Sequence, residues 1–241
     1  MRDIIALVSS ALFLTLALTP VSAASLQISP VSLEIPAPGS ATTVTLKNSA
    51  ATPLKAQMRI FRWSMANGEE KLEPATDVVA SPPIASIKPG ADYVIRVVRL
   101  SKAPVTTEET YRLIVDEIPD TTAHAAITVK IAFRCSIPVF FTPPTATSPD
   151  LKWSVTSKDG QTYVSATNTG TRRVRLADLK VADDKGNSAA IAKGLAGYVL
   201  ARSSKSWVAP GPFQKAASPL LVTAQGDRGP INARALPETA R

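Results

Sequence analysis

The chain has 241 residues, a formal net charge of +8, one cysteine and one histidine. The lone Cys135 excludes an intrachain disulfide and a cysteine-built metal site, and the lone His124 leaves no material for a multi-histidine metal site or a Ser-His-Asp triad. The basic surface attracts anionic partners. Because no basic run is interleaved with aromatic residues, nucleic acid is not an expected partner, and no cofactor or metal is expected.

Residues 1–23 have the composition of a secretory signal peptide. Arg2 supplies a charged start, an apolar run extends from Ile4 to Leu18, and Val21-Ser22-Ala23 offers small residues for cleavage. The run is shorter than the ~20 residues of a membrane-spanning helix. We therefore expect a mature protein that begins near Ala24, lies outside the cytoplasm and has no membrane span.

The mature chain then shows stretches in which apolar and polar residues alternate, at 25–35, 42–48, 54–63, 93–100, 110–118 and 127–141. Alternation with period two is typical of strands, and many short strands between turn-rich segments predict an all-β sandwich. In the first stretch the apolar parity changes across Pro30. Proline cannot donate to a strand ladder, so we expect an edge strand that kinks at Pro30 and passes from one sheet to the other.

The second half repeats this organisation. A Pro-rich linker at 144–149 is followed by further strands, beginning with a hairpin around Asp159-Gly160, and 44–57 weakly resembles 164–178. These patterns predict one sandwich domain at 24–143 and a second at 150–226. The tail 227–241 is polar and interrupted by proline, a composition typical of disorder.

The charged residues do not form an expected catalytic site. The chain has no Walker loop, G-x-S-x-G, HExxH or GxGxxG motif. Asp116 and Glu117 are adjacent on a predicted strand, so they point to opposite faces and cannot form an opposed acid–base pair. A solvated β surface explains the scattered charges better than an enzyme does.

The stretch 127–141 is the longest alternating one. Ile127, Val129, Ile131 and Phe133 share one parity, with polar or small residues between them. From the pattern alone this strand is either part of the core or an edge that pairs with another chain.

Three segments in order, 81–100, 108–119 and 127–141, together resemble the periplasmic pilus-assembly chaperones of chaperone–usher systems. The resemblance is strong over 81–141 and loose over 150–210. It implies two immunoglobulin-like sandwiches in an L-shaped arrangement and a protein that is not an enzyme. The matching residues include Pro82, Pro83, Arg96, Glu108, Tyr111 and Glu117-Ile118-Pro119. Pro82, Pro83, Arg96 and Glu108 are interpreted as structural residues.

The resemblance also implies how the protein works. Such chaperones lend their own strand to pilus subunits that lack one, in the periplasm, and deliver them to an outer-membrane usher. Here the lending strand is predicted in 127–141, with Ile127, Val129, Ile131 and Phe133 filling the apolar groove of the subunit. The alternative is that these side chains face the core of the protein itself.

One departure from the better-known members concerns the subunit's terminal carboxylate, which those members clamp with two basic residues. The matching positions here are Pro30 and Pro138, which cannot bind a carboxylate through a side chain. The stretches 28–35, 110–119 and 136–141 together resemble the divergent, archaic-type branch that includes chaperones of spore-coat-like pilins. Arg112 is the predicted carboxylate anchor, because an arginine can bind a carboxylate in bidentate fashion. The alternative for Arg112 is a structural ion pair with Glu108 or Asp116. Lys130 and Arg134 are the second-choice anchors.

Two other functions stay open at this stage: a pilus subunit or adhesin, and a secreted carbohydrate-binding sandwich. The second would need exposed aromatic residues, whereas Trp63, Trp153 and Trp207 lie in alternating strand patterns typical of a core. The sequence does not identify the subunits or the usher. It also leaves open the role of Cys135 and the self-association of the free protein, which exposed strand edges favour.

Overall fold

The structure is a computed structural model that describes residues 26–119, 132–145, 148–210, 213 and 218–238. The predicted signal peptide lies outside these residues. Within them, the regular structure consists of eighteen β-strands and contains no α-helix. This confirms the predicted all-β class.

The described residues between 26 and 142 form two sheets that face each other. The first has four strands in the order β1-β3-β8-β6, and the second has the order β2-β10-β9-β4-β5 with β7 beside β4. The strands are β1 (Leu26–Ser29), β2 (Leu33–Pro36), β3 (Ala41–Asn48), β4 (Leu54–Ala66), β5 (Glu69–Pro74), β6 (Val78–Ser81), β7 (Ile84–Ile87), β8 (Asp92–Arg99), β9 (Glu109–Ile118) and β10 (Arg134–Thr142).

The core of this domain lies between the two sheets because each sheet contributes the apolar side chains of one parity. Val44 and Ile95 from the first sheet pack with Leu113 and Val139 from the second, and all four are fully buried. Each such side chain stabilises the fold by about 1.5–3 kcal/mol relative to an exposed position.

The first strand changes sheets at Pro30, as predicted. β1 pairs antiparallel with β3, whereas β2 pairs parallel with β10 in the opposite sheet. The buried residues change parity accordingly, from Leu26 to Leu33 and Ile35. The kink therefore lets one segment close both sheets.

The described residues between 151 and 237 form the second domain. Its strand β18 connects two sets of strands into one eight-stranded sheet in the order β14-β13-β17-β18-β11-β12-β16, with β15 beside β13. Both sets bury their apolar side chains in one core. The strands are β11 (Leu151–Lys158), β12 (Gln161–Asn168), β13 (Val174–Ala182), β14 (Ser188–Ala190), β15 (Leu195–Val199), β16 (Ser203–Val208), β17 (Leu220–Gly226) and β18 (Gly229–Pro237).

The predicted hairpin between β11 and β12 is present. Asp159 and Gly160 have φ values of 52° and 76°, the left-handed conformation that a tight two-residue hairpin requires. The weak sequence repeat also has a structural counterpart. The buried amides of Asn48 and Asn168 each donate to the carbonyl four residues ahead and accept from the N–H two residues ahead.

The prediction for the end of the second domain is wrong. The tail expected to be disordered forms β18 over Gly229–Pro237, because Ile231, Ala233 and Ala235 alternate toward the second core although their neighbours are polar. The second domain therefore extends beyond residue 226. In the same domain, β15 and β16 are separated by a turn in which Arg202 has φ 52°.

Candidate functional site

β10 has an open edge over its first half. β9 pairs with it from Arg134 to Phe141, whereas β2 pairs with it only from Val139 to Thr142. Among the described residues, therefore, Arg134–Pro138 has a neighbouring strand on one side only. Backbone groups on the other side are available to a strand from another chain.

The side chains of β10 that face the core form one row, and their burial changes along it. Ile137, Val139 and Phe141 are fully buried, whereas Phe133 and Cys135 are only partly buried against the same core. The end of the row at Phe141 is thus fully inside the protein's own core, and the end at Phe133 lies at the margin of that core. The predicted groove-filling residues Ile127, Val129 and Ile131 lie outside the described residues, so that role stays a prediction.

The other face of β10 and β9 turns toward the second domain. There Trp63, Phe140 and Leu200 are buried together with the partly buried Tyr198. The Trp63 ring centroid lies 5.4 Å from that of Tyr198 in an edge-to-face arrangement and 6.1 Å from that of Phe140. We call these four residues the aromatic joint, because they pack one domain against the other.

Arg112 lies at the rim of the aromatic joint. Its guanidinium carbon is 3.7 Å from the centroid of the Trp63 ring, and its Nη2 is 3.3 Å from Glu70 Oε2. The other oxygen of Glu70 lies 3.2 Å from Lys205 Nζ of the second domain. One carboxylate therefore bridges two cations that come from different domains.

This geometry corrects the alternative given for Arg112, because its ion partner is neither Glu108 nor Asp116. Glu70 reaches Arg112 because the β4–β5 hairpin carries it there, 42 residues away in sequence. Stacking on an indole fixes the guanidinium plane and leaves its edge for an anion. The guanidinium of Arg112 is thus held in a fixed orientation with Glu70 as its carboxylate partner, and Glu70 and Lys205 are neighbours that the sequence did not reveal.

The second-choice anchor Arg134 is exposed and forms an ion pair with Asp116, which also accepts a hydrogen bond from Arg59 at 2.6 Å. Burial raises the pKa of the Asp116 carboxyl, but the hydrogen bonds from Arg134 and Arg59 outweigh burial and lower its pKa overall. Because Asp116 remains charged, Arg134 already has a carboxylate partner. Lys130 lies outside the described residues.

Glu108 fastens the two domains together. Its side chain is fully buried, with Oε1 accepting from the backbone N–H of Arg173 at 2.9 Å and Oε2 accepting from the Arg173 guanidinium. The guanidinium also donates to Glu34 at 2.9 Å and lies 3.4 Å from the Phe140 ring centroid. The sequence pointed to Glu108 but not to Arg173, whose only local signal is the pair Arg172-Arg173.

The other residues interpreted as structural, Pro82, Pro83 and Arg96, lie in the first domain. The carbonyl of Pro83 accepts a hydrogen bond from Met58 N–H at 2.8 Å, next to Pro82 in the turn before β7. Arg96 is exposed on β8, and its structural role stays a prediction. The buried arginine of this strand is Arg99, which forms two hydrogen bonds of 2.7 Å with the carboxylate of Glu109.

The part of the chain that the structure describes was searched for metal-binding clusters and for membrane-spanning helices. No three His, Cys, Asp or Glu side chains there are grouped to hold a metal ion. No helix in those residues is long and apolar enough to cross a membrane.

Comparison with known proteins identifies the family. Residues 25–147 match the family model described as pili and flagellar-assembly chaperone, PapD N-terminal domain. The chain belongs to this family. Its members are chaperones that catalyse no reaction, so this protein is a chaperone and not an enzyme. The predicted resemblance is confirmed, and the alternative functions as a pilus subunit or a carbohydrate-binding protein have no support. No match was found among curated protein sequences.

Solved structures show the same fold over nearly the whole chaperone. One chain of the CsuC–CsuE chaperone–tip adhesion subunit pre-assembly complex, from archaic chaperone–usher Csu pili of Acinetobacter baumannii, is 26% identical with a TM-score of 0.70. The match covers 89% of this chain and 100% of that one. The Pseudomonas aeruginosa CupB2 chaperone is 20% identical with a TM-score of 0.57, covering 87% and 98% of the two chains. The E. coli chaperone DraB is 18% identical with a TM-score of 0.59, covering 88% and 96%.

Proposed function

We propose that this chaperone captures pilus subunits in the periplasm by donor-strand complementation and delivers them to an outer-membrane usher. The observation that carries the proposal is the open edge of β10 at Arg134–Pro138, where the core-facing row of side chains becomes only partly buried at Cys135 and Phe133. The likeness to a chain crystallised in a chaperone–tip adhesion subunit complex supports subunits as partners. The predicted signal peptide and the periplasmic location of the family support the compartment.

Strand addition accounts for both the affinity and the specificity of capture. Unpaired N–H and C=O groups on an edge strand form main-chain hydrogen bonds with an added strand, and alternate apolar side chains fill pockets of the partner. In this proposal Ile127, Val129, Ile131 and Phe133 enter the groove of the subunit. The fully buried Ile137 and Val139 hold the strand in the chaperone.

Arg112 is the proposed anchor for the terminal carboxylate of the subunit. Pro30 and Pro138 offer no charged side chain, whereas Arg112 is directly opposite Pro138 on β9 and its plane is fixed by Trp63. A carboxylate that enters the cleft between the two domains, where Arg112 lies, would accept charge-assisted hydrogen bonds from its guanidinium. Each such bond is worth about 1.5–3 kcal/mol.

The lending strand is tested by co-expression with a subunit encoded beside the chaperone gene, followed by purification of the complex. Ile131→Asp combined with Phe133→Asp should abolish capture, since two charges in an apolar groove cost several kcal/mol by order of magnitude. The matched control is Thr128→Asp with Ala132→Asp, which adds the same charge at the opposite parity. Equal capture by both double variants would refute the proposed lending strand.

The anchor is tested separately in the same assay. Arg112→Ala should strongly weaken capture, whereas Arg96→Ala removes an exposed arginine of the same domain and should not. If Arg112→Ala captures subunits like the wild type, the anchor is elsewhere, although the lending strand is unaffected by that result. Detection of the protein in shed fibres instead of the periplasmic fraction would contradict the proposed role altogether.

A further inference from the structure

Glu70 already places a carboxylate where the proposed anchor needs one. Its two oxygens lie 3.3 Å from Arg112 Nη2 and 3.2 Å from Lys205 Nζ. Both of these nitrogens are charge-assisted donors, one from each domain. The free chaperone therefore contains a two-cation site filled by its own side chain.

The side chains of Arg112, Lys205 and Glu70 differ in how easily each can leave this site. The side chains of Arg112 and Lys205 are 15% and 14% exposed, whereas that of Glu70 is 34% exposed. Arg112 is further held by the Trp63 ring at 3.7 Å. Glu70 lies instead on β5, an edge strand in which every residue is exposed. The cations are thus fixed, and the carboxylate is the exchangeable member.

The β4–β5 hairpin explains why Glu70 reaches both cations. The turn contains Gly68 at φ 82°, and the Gly68 carbonyl accepts a hydrogen bond from the backbone N–H of Ser206 at 3.2 Å. This contact docks the tip of the hairpin on β16, the strand that carries Lys205. The position of Glu70 is therefore determined by backbone contacts that persist when its side chain rotates away.

We propose that Glu70 is a placeholder carboxylate. In the free chaperone it neutralises Arg112 and Lys205, and on capture the terminal carboxylate of the subunit replaces it, with Lys205 as the second cation of the anchor. This inference rests on the proposed function. With this exchange, Arg112 and Lys205 have a carboxylate partner both in the free chaperone and in the complex with a subunit. A strand that brings no carboxylate to the cleft gains no such ion pair by displacing Glu70.

Glu70→Gln is the direct test, because glutamine keeps the shape and a carbonyl acceptor but removes the competing charge. The matched control is Glu73→Gln on the same strand, whose partner is the exposed Lys71. Acetate serves as the carboxylate probe, with binding followed by NMR of the arginine side-chain N–H groups. We expect Glu70→Gln to bind acetate about tenfold more tightly than the wild type, as charge-assisted pairing implies, and Glu73→Gln to be unchanged. Adding Arg112→Ala to Glu70→Gln should remove the gain.

Subunit capture by the same variants separates this inference from the proposed function. Tighter capture by Glu70→Gln supports the placeholder. If the wild type captures subunits but Glu70→Gln changes neither acetate binding nor capture, or weakens both, the placeholder is wrong and the chaperone function stands. If the wild type captures no subunit, the proposed function fails, while the acetate titration still decides whether Glu70 competes for the two cations.

A second variant covers the case in which Glu70→Gln does not fold. Lys205→Met keeps an aliphatic side chain of similar length but removes the second cation, whose Nζ lies 5.9 Å from the Trp207 ring centroid. It should weaken subunit capture by about tenfold, the loss of one charge-assisted contact. Unchanged capture by Lys205→Met would overturn the assignment of Lys205 to the anchor.

Discussion

Replacing Arg173 with methionine should weaken the contact between the two domains and lower the free energy of unfolding. The guanidinium contacts the fully buried Glu108, which would be left without its counter-charge. Glu34 would keep its ion pair with Arg172, so the damage is concentrated at Glu108. The substitution keeps an apolar side chain against Phe140, so loss of packing is small.

The magnitude follows from the burial of this pair. Removing one partner of a buried ion pair costs about 3–5 kcal/mol because an uncompensated charge is left behind. The backbone N–H of Arg173 still donates to Glu108, which favours the lower part of that range. Loss of the cation–π contact, with the guanidinium carbon 3.4 Å from the Phe140 ring centroid, adds to the cost. We expect the free energy of unfolding to fall by about 3–4 kcal/mol.

Urea denaturation followed by tryptophan fluorescence and circular dichroism measures this loss. Arg175→Met is the control, because its ion pair with Asp227 is exposed on both sides and should contribute at most about 1 kcal/mol. The double variant Arg173→Met with Glu108→Gln should lose less than the sum of the two single variants, since it removes both charges. Additive losses, or wild-type stability of Arg173→Met, would refute the reasoning.

Three further predictions concern stability in the first domain. Gly68→Ala should lower the urea midpoint more than Gly90→Ala: both glycines have positive φ, but only at Gly68 would a Cβ lie 2.6 Å from a side-chain oxygen of the second domain. Phe141→Ala should cost about 3–5 kcal/mol in the same assay, because its fully buried ring would leave a cavity; a loss below 1 kcal/mol would contradict this. Burial raises the pKa of Asp77, but hydrogen bonds from Tyr111 and Arg62 outweigh it and hold the pKa below 3.8. The resulting stability is present above that pH and is lost as the pH falls through the folded-state pKa, so Asp77→Asn should flatten the acid side of the stability curve, and an unchanged curve would count against the pairing.

The sequence predicted most of the strands and the class of the fold because period-two alternation is a local property of the chain. The change of parity at Pro30 likewise indicated a change of sheet before any strand partner was known. The same alternation did not predict the last strand of the second domain. β18 has few large apolar residues, and only its position beside β17 and β11 shows that Ile231 is packed against a core.

The residues that surround the candidate site could not be predicted in the same way. The segments 81–141 were enough to place the chain in its family and to single out Arg112, because those motifs are short and continuous. Glu70 and Arg173 are 42 and 65 residues away from their ion partners Arg112 and Glu108, with no periodicity to connect them. Ion pairs of this kind depend on how two domains and a hairpin meet in space. The sequence by itself therefore determined the strands and the family, and only the tertiary structure decided which charges face each other in the cleft.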